Sequence, residues 1–178
     1  MASRIDDLRR RVEADPASIA FAQLAEEYRR AGQSDEAVRV CREGLTRHPA
    51  YLSARVTLGR ALLDLGSFGE AREELEFVVG EAPENLAAIR GLAEIAHREG
   101  SLAEALSYYE RALSLARHDP ELEELVQQLS RQVGAEAVLV QGAERFVGRV
   151  PRPRSEVAQL AEETLRRKQA VGVEAVFD

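Results

Sequence analysis

Residues 53–79 read S-A-R-V-T-L-G-R-A-L-L-D-L-G-S-F-G-E-A-R-E-E-L-E-F-V-V. The first half, up to Gly66, spaces its apolar residues at the period of a helix. So does the second half, from Phe68 onward. Glycine divides them, because it takes the left-handed backbone that ends a helix without a steric penalty. The stretch predicts a helix, a tight turn and a second helix.

The same arrangement recurs on either side. Gly32, Gly66, Gly100 and Gly134 fall 34 residues apart. Ala37, Ala71 and Ala105 follow the first three, each preceded by a glutamate, Glu36, Glu70 and Glu104. Before the glycines stand Leu24, Leu58, Leu92 and Val126, with small neighbours Ala25, Gly59 and Ala93 in the first three copies. Proline closes the unit at Pro49 and Pro83, is replaced by Arg117, and returns at Pro151. Small residues let two helix backbones approach, and proline stops a helix from continuing. A fixed period of this length marks an array of helix pairs.

The pattern resembles the tetratricopeptide repeat family, whose units are helix–turn–helix. Unit one, 18–51, supplies Phe21, Leu24, Ala25, Tyr28, Ala37, Cys41, Gly44 and Pro49 at the family's positions. Unit two, 52–85, supplies Arg55, Leu58, Gly59, Leu62, Ala71, Leu75, Val78 and Pro83. Unit three, 86–119, supplies Ile89, Leu92, Ala93, Ala96, Ala105, Tyr109, Ala112 and Arg117. Arg55, Val78 and Arg117 depart from the pattern.

Residues 120–153 read as a degenerate fourth unit. Leu122, Leu125, Val126, Leu129 and Val133 make its first helix amphipathic, and Gln127 replaces the usual small residue. For 135–150 two readings stand: a helix, favoured by the phase of Gly134 and Pro151, or a hairpin of Val138–Val140 and Phe146–Val150. A leading helix is expected over 4–16 and a C-terminal capping helix over 154–178, as suits a solenoid whose end faces need cover. The phrase A-Q-L-A-E-E occurs at 22–27 and again at 158–163, four periods apart, which puts the last helix in phase. The resemblance implies an all-α protein: a right-handed α-solenoid of antiparallel helix pairs, with three clear units and one degenerate unit in a single domain over 1–178.

Composition narrows the chemistry. The net charge is −7, which disfavours nucleic acid and anionic membrane as general partners. Residues 135–178 are neutral, so the excess lies in 1–134. No apolar run approaches the ~18 residues of a membrane span, and the charged start lacks a secretory core. A cytoplasmic location is the expectation. The lone cysteine, Cys41, fits a reducing compartment. Lysine occurs at Lys168 alone against many arginines, which reads as the codon bias of a GC-rich bacterium.

No catalytic constellation emerges, and neither a cofactor nor a metal is expected. His48, His97 and His118 show no ligand spacing. His48 and His118 sit near helix C-termini, where a cation is favourable. Cys41 holds a core position. The stretch 145–154, R-F-V-G-R-V-P-R-P-R, has two readings, a solvated turn between units, which the phase of Pro151 favours, or a site for nucleic acid or an acidic partner.

The resemblance places binding on a concave face lined by the first helix of each unit. Unit one offers Ile19, Ala22, Glu26, Arg29 and Arg30. Unit two offers Ser53, Val56, Arg60, Leu63 and Asp64. Unit three offers Ala87, Arg90, Glu94, His97 and Arg98. The residues expected to hold a partner are Glu26, Arg29, Arg30, Val56, Arg60, Asp64, Arg90, Glu94, His97 and Arg98. Arginine suits carboxylate contacts there. One subclass of the family grips C-terminal carboxylates with Lys, Asn and Arg; here Ala22, Glu26, Thr57, Ala87 and Gly91 occupy those places. Binding of chaperone tails is therefore not expected.

These features point to a non-catalytic scaffold or adaptor that holds a segment of another protein. The alternative is a small secretion chaperone of the same repeat type; an enzyme or enzyme-associated module is the third reading. A homodimer through the C-terminal helix stays open.

Overall fold

A computed structural model describes residues 4–116 and 118–147, with side chains as far as residue 135. It divides into two compact units, Met1–Ala135 and Glu136–Asp178. The described elements are all helices: α1 (Arg4–Ala14), α2 (Ala20–Arg30), α3 (Ser34–Arg47), α4 (Leu52–Asp64), α5 (Phe68–Glu81), α6 (Leu86–Arg98), α7 (Leu102–Leu115) and α8 (Pro120–Val147). Together α2–α7 form three stacked pairs, an α-solenoid.

The three turns between paired helices are built alike. Gly32, Gly66 and Gly100 have φ of +74°, +77° and +80°. The N–H of the next residue, Gln33, Ser67 or Ser101, donates back to Tyr28, Leu62 or Ala96 at 2.9 Å. Each glycine N–H also donates to the residue three before it. This double bond pattern satisfies carbonyls that the helix end would leave open.

Small residues set how closely the helices pack. Ala25, Ala37, Ala71, Ala93 and Ala105 have no exposed surface. A Cβ on Gly59 would lie 2.6 Å from Leu75 Cγ, and one on Gly91 would lie 2.6 Å from Leu75 Cδ1. Leu75 on α5 is thus wedged between α4 and α6. Gly44 does the same for unit one, where a Cβ would strike the Phe21 ring.

Packing between pairs explains which face is inner. First helices touch their neighbours, α2 with α4 and α4 with α6. Second helices lie farther apart and are bridged by ion pairs between side chains of adjacent units, Arg42 to Glu70 and Arg72 to Glu104. The array therefore curls with α2, α4 and α6 on its inner side. Helix α1 covers the exposed side of α2: Leu8 is buried, Ile5 and Val12 pack on the core, and Arg9 donates to the Tyr28 hydroxyl at 2.7 and 3.1 Å.

Two departures from the repeat pattern have physical accounts. Arg55 stands where units one and three carry Phe21 and Ile89. Its guanidinium lies 4.1 Å from the Phe77 ring centroid, pairs with Glu74 at 2.6 Å and donates to the Pro49 carbonyl. Its stem and stacked head replace a large apolar side chain. Val78 is fully buried and fills the place of a small residue. Arg117 lies outside the described residues.

The fourth unit differs from the expectation. Helix α8 runs unbroken from Pro120 to Val147, through Gly134, so no turn forms there. Neither does the hairpin, since Val138–Val140 and residues 146–147 are helical. Ala135, Glu136 and Ala137 are strong helix formers, and one interior glycine costs only about 1 kcal/mol. Gln127, in the place of a small residue, is exposed rather than pressed against a partner helix. The first half of α8 does close the array: Leu122 and Leu129 are buried against Ile89, Ala93, Tyr109 and Ala112. The capping helix expected over 154–178, and the dimer built on it, lie outside the described residues.

Candidate functional site

The inner helices carry the expected binding residues, and the periodicity that buries one face of each leaves these on the other. Ala22 and Leu63 are buried, while Ile19, Arg30, Ser53, Asp64, Ala87, Arg90, His97 and Arg98 are exposed. Glu26, Arg29, Val56, Arg60 and Glu94 are half-buried.

Most of the charges are already engaged by their own chain. Arg29 donates to Glu26 at 3.0 and 3.1 Å and reaches Asp64 of the next unit at 3.2 Å. Arg30 also donates to Glu26, at 2.9 Å. Arg98 pairs with Glu94 and donates to the Leu63 carbonyl at 3.3 Å. Arg90 pairs with Asp119 at 3.1 Å. Arg60 is the exception: it makes no hydrogen bond or ion pair with any described residue. The sequence pattern puts five arginines on this face; the geometry leaves one of them without an ion pair among the described residues.

The charge pattern holds Glu26 ionised. Burial would raise its carboxyl, but the hydrogen bond and field of Arg29, the hydrogen bond of Arg30 and the field of Arg60 outweigh it. The group ends below the ordinary carboxylate range. Arg29 is raised by its bond to Glu26, against its own burial. Electrostatic order thus runs from unit one into unit two through Glu26, Arg29 and Asp64.

Between α4 and α6 lies an open hollow of about 490 Å³. Arg60, Arg90 and Glu94 stand around it, and Leu63, Leu86, Ala87 and Gly91 complete its lining. Leu86 was absent from the sequence reading, because it opens α6 one position before the family's groove residues. Asp119 was missed as the partner of Arg90. Its signal was its place before Pro120, where its side chain caps α8 by accepting from Leu122 N–H at 3.1 Å.

The remaining chemistry-bearing residues have structural partners. Burial pushes the Cys41 thiol up to about 12, and Glu26 and Glu74 add to the rise. His48 stacks on Phe21 and contacts the Ala17 carbonyl. His97 meets the edge of Tyr109. Among the described residues no group of three His, Cys, Asp or Glu could hold a metal, and no helix is long and apolar enough to cross a membrane.

Sequence profiles described as the tetratricopeptide repeat match residues 28–76 and 56–120. The chain is a member of the tetratricopeptide repeat family. No curated protein matches it. Solved repeat structures share its fold. The crystal structure of MamA covers 81% of this chain and 89% of its own, with TM-score 0.66 at 17% identity. The first repeat domain of Spaghetti (RPAP3), bound to the HSP90 peptide SRMEEVD, covers 67% and 94%, with TM-score 0.62 at 19% identity. A yeast Sti1 repeat domain in complex with an Hsp70 partner covers 62% and 94%, with TM-score 0.56 at 23% identity. At these identities the likeness is one of fold.

Against that background the repeat's carboxylate-gripping places are informative. Ala22 and Thr57 are buried, Glu26 is an anion, and Gly91 has no room for a side chain beside Leu75. The cations of that subclass are absent here, and a residue at 91 would have to displace the core.

Proposed function

We propose that this chain is a protein-interaction scaffold that holds a segment of a partner protein along α2, α4 and α6. The observation that carries the reading is the hollow between α4 and α6, with Arg60 unengaged beside apolar Leu63 and Leu86. A half-desolvated cation next to apolar surface gives a partner both an anchor and an orientation. Repeat domains of the same fold hold peptides in their solved complexes, which supports the reading. The partner segment binds at Glu26, Arg29, Arg30, Val56, Arg60, Asp64, Arg90, Glu94, His97 and Arg98 as a surface, with Arg60 central.

The test is site-specific photo-crosslinking in cells of the source organism. A photoreactive residue replaces exposed Ser53 or Ala87 on the inner face, and Gly69 on α5 serves as the control. A discrete crosslinked partner is expected from the first two and not the third. It should be lost in an Arg60/Arg90/Arg98→Glu variant that keeps its helical content. Equal capture from all three positions, or capture unchanged by the triple variant, would refute the groove.

A second reading, a secretion chaperone, draws on α1, which docks ahead of three full units. Co-purification of an unfolded secreted cargo, in place of a folded partner, would select it.

A further inference from the structure

We propose that the hollow between α4 and α6 selects an internal stretch of a partner carrying a single acidic side chain beside an aliphatic one, and rejects runs of acids. The inference rests on the groove reading and adds the chemistry of what is held.

Three observations lead to it. First, Arg60 is half-buried, and among the described residues no carboxylate pairs with it, whereas Arg29, Arg30, Arg90 and Arg98 each have at least one. One unmet cation calls for one anion. Second, Leu63 and Leu86 line the hollow with apolar surface, and the hollow is open between α4 and α6. An aliphatic side chain next to the acid would fill that space and exclude water from the new ion pair, which strengthens it. Third, the flanking arginines are already matched by carboxylates of this chain, so only Arg60 is left to meet an acid. Glu26 and Asp64 lie towards unit one and Glu94 lies on α6, each paired with an arginine of this chain. A second or third acid in the partner would have to displace one of these carboxylates, and like charges brought together are unfavourable. The chain's net charge of −7 adds to that repulsion at longer range.

An internal acid fits better than a chain end. The hollow is open, and the inner face continues past it along α2 and α6. The places where the related subclass holds a terminal carboxylate carry Ala22, Glu26, Thr57, Ala87 and Gly91. A terminal carboxylate would find no second cation there.

The experiment is selection of short random peptides, displayed between fixed flanking linkers so that no terminus is free, on the intact chain. Enriched peptides are expected to carry one Asp or Glu next to Val, Leu or Ile, with acids depleted at the flanking positions. Synthetic versions of the winners, blocked at both ends, are then measured by fluorescence polarisation. Replacing the acid by its amide should weaken binding roughly tenfold or more, the effect of losing a charge-assisted contact. On Arg60→Gln the acid and its amide should bind alike, and Arg60→Lys should restore part of the difference. Adding two further acids should weaken binding, and moving the acid to a free C-terminus should give no gain.

Enriched peptides without an acid, or with acidic runs, would overturn the proposal and leave the groove reading standing. So would an acid preference that survives Arg60→Gln. Absence of any enrichment would also overturn it, and the photo-crosslinking above would then decide the groove on its own.

Discussion

Leu75→Ala is the change that should test the packing most directly. Leu75 has no exposed surface, and its side chain lies between Gly59 of α4 and Gly91 of α6. Removing three buried carbons costs about 2–5 kcal/mol, depending on how far the site collapses. The upper half of that range is expected, because Leu75 contacts two helices whose spacing the rest of the array fixes. Gly91→Ala supplies the complementary probe. In the native chain the new methyl would lie 2.6 Å from Leu75 Cδ1. Overpacking of this kind costs about 1–3 kcal/mol, and the helix propensity gained by replacing glycine returns about 1 kcal/mol. Without the Leu75 side chain the obstruction is gone. The same alanine then keeps its propensity gain and fills part of the hole.

The two changes should therefore couple by about 1–3 kcal/mol in favour of the double variant, well above the ~0.5 kcal/mol scatter of independent sites. The assay is urea unfolding followed by circular dichroism on the four proteins, with midpoints compared at a common slope. Gly59→Ala should be worse than Gly91→Ala, since it meets Leu75 Cγ and, at 3.3 Å, the Ala71 carbonyl. The reasoning is refuted if Leu75→Ala costs less than about 1 kcal/mol, a value outside the range for a buried leucine. It is refuted equally if Gly91→Ala has the same effect with and without Leu75.

Three further outcomes are expected. Gly66→Ala should cost about 1 kcal/mol, because φ is +77° with open space around the missing Cβ, so the penalty is conformational; Gly66→Asn should cost less, and equal midpoints would contradict the turn. Glu26 has a depressed carboxyl, so its stabilisation is complete above the unfolded glutamate value of about 4.3 and is lost as pH falls through its lower folded value. Glu26→Gln should accordingly be less stable than the native chain at neutral pH, with the gap closing in acid; a gap independent of pH would rule out this linkage. Cys41, pushed up to about 12 by burial, should resist a thiol-specific disulfide reagent at mildly alkaline pH until urea opens the fold, and rapid labelling of the folded protein would show the thiol is accessible.

The array was legible because each of its rules is local. Gly32, Gly66 and Gly100 announce their turns through backbone conformation alone, and Ala37, Ala71 and Ala105 announce close approach through size. The same locality explains the failure at Gly134. A glycine permits a turn but does not require one. What requires it is a second helix with somewhere to pack, and Gln127 gives it no close seat. The repeat phase of Gly134 was therefore a true regularity with a misleading consequence. On the inner helices, position along the helix indicates which side chains turn away from the core but not how they pair. Asp119 reaches Arg90 across 29 residues, and Asp64 reaches Arg29 across 35. Such partners depend on how the units stack, which no single unit encodes.

That pairing changes what the groove arginines are able to do. A partner carboxylate arriving at Arg29 or Arg98 must displace Glu26, Asp64 or Glu94, exchanging one ion pair for a similar one and returning an anion to water. The net gain is small, as for surface ion pairs in general. At Arg60 nothing is displaced, and the cation's own hydration is already reduced by half-burial beside Leu63. The five arginines that look equivalent in sequence are thus unequal in energy. Charge reversal at Arg60 alone should remove most of the carboxylate-dependent binding, while reversal at Arg30, whose side chain is 63% exposed, should leave it nearly intact. Equal losses at the two positions in a polarisation titration would mean that the face acts through its summed field rather than through one anchored contact.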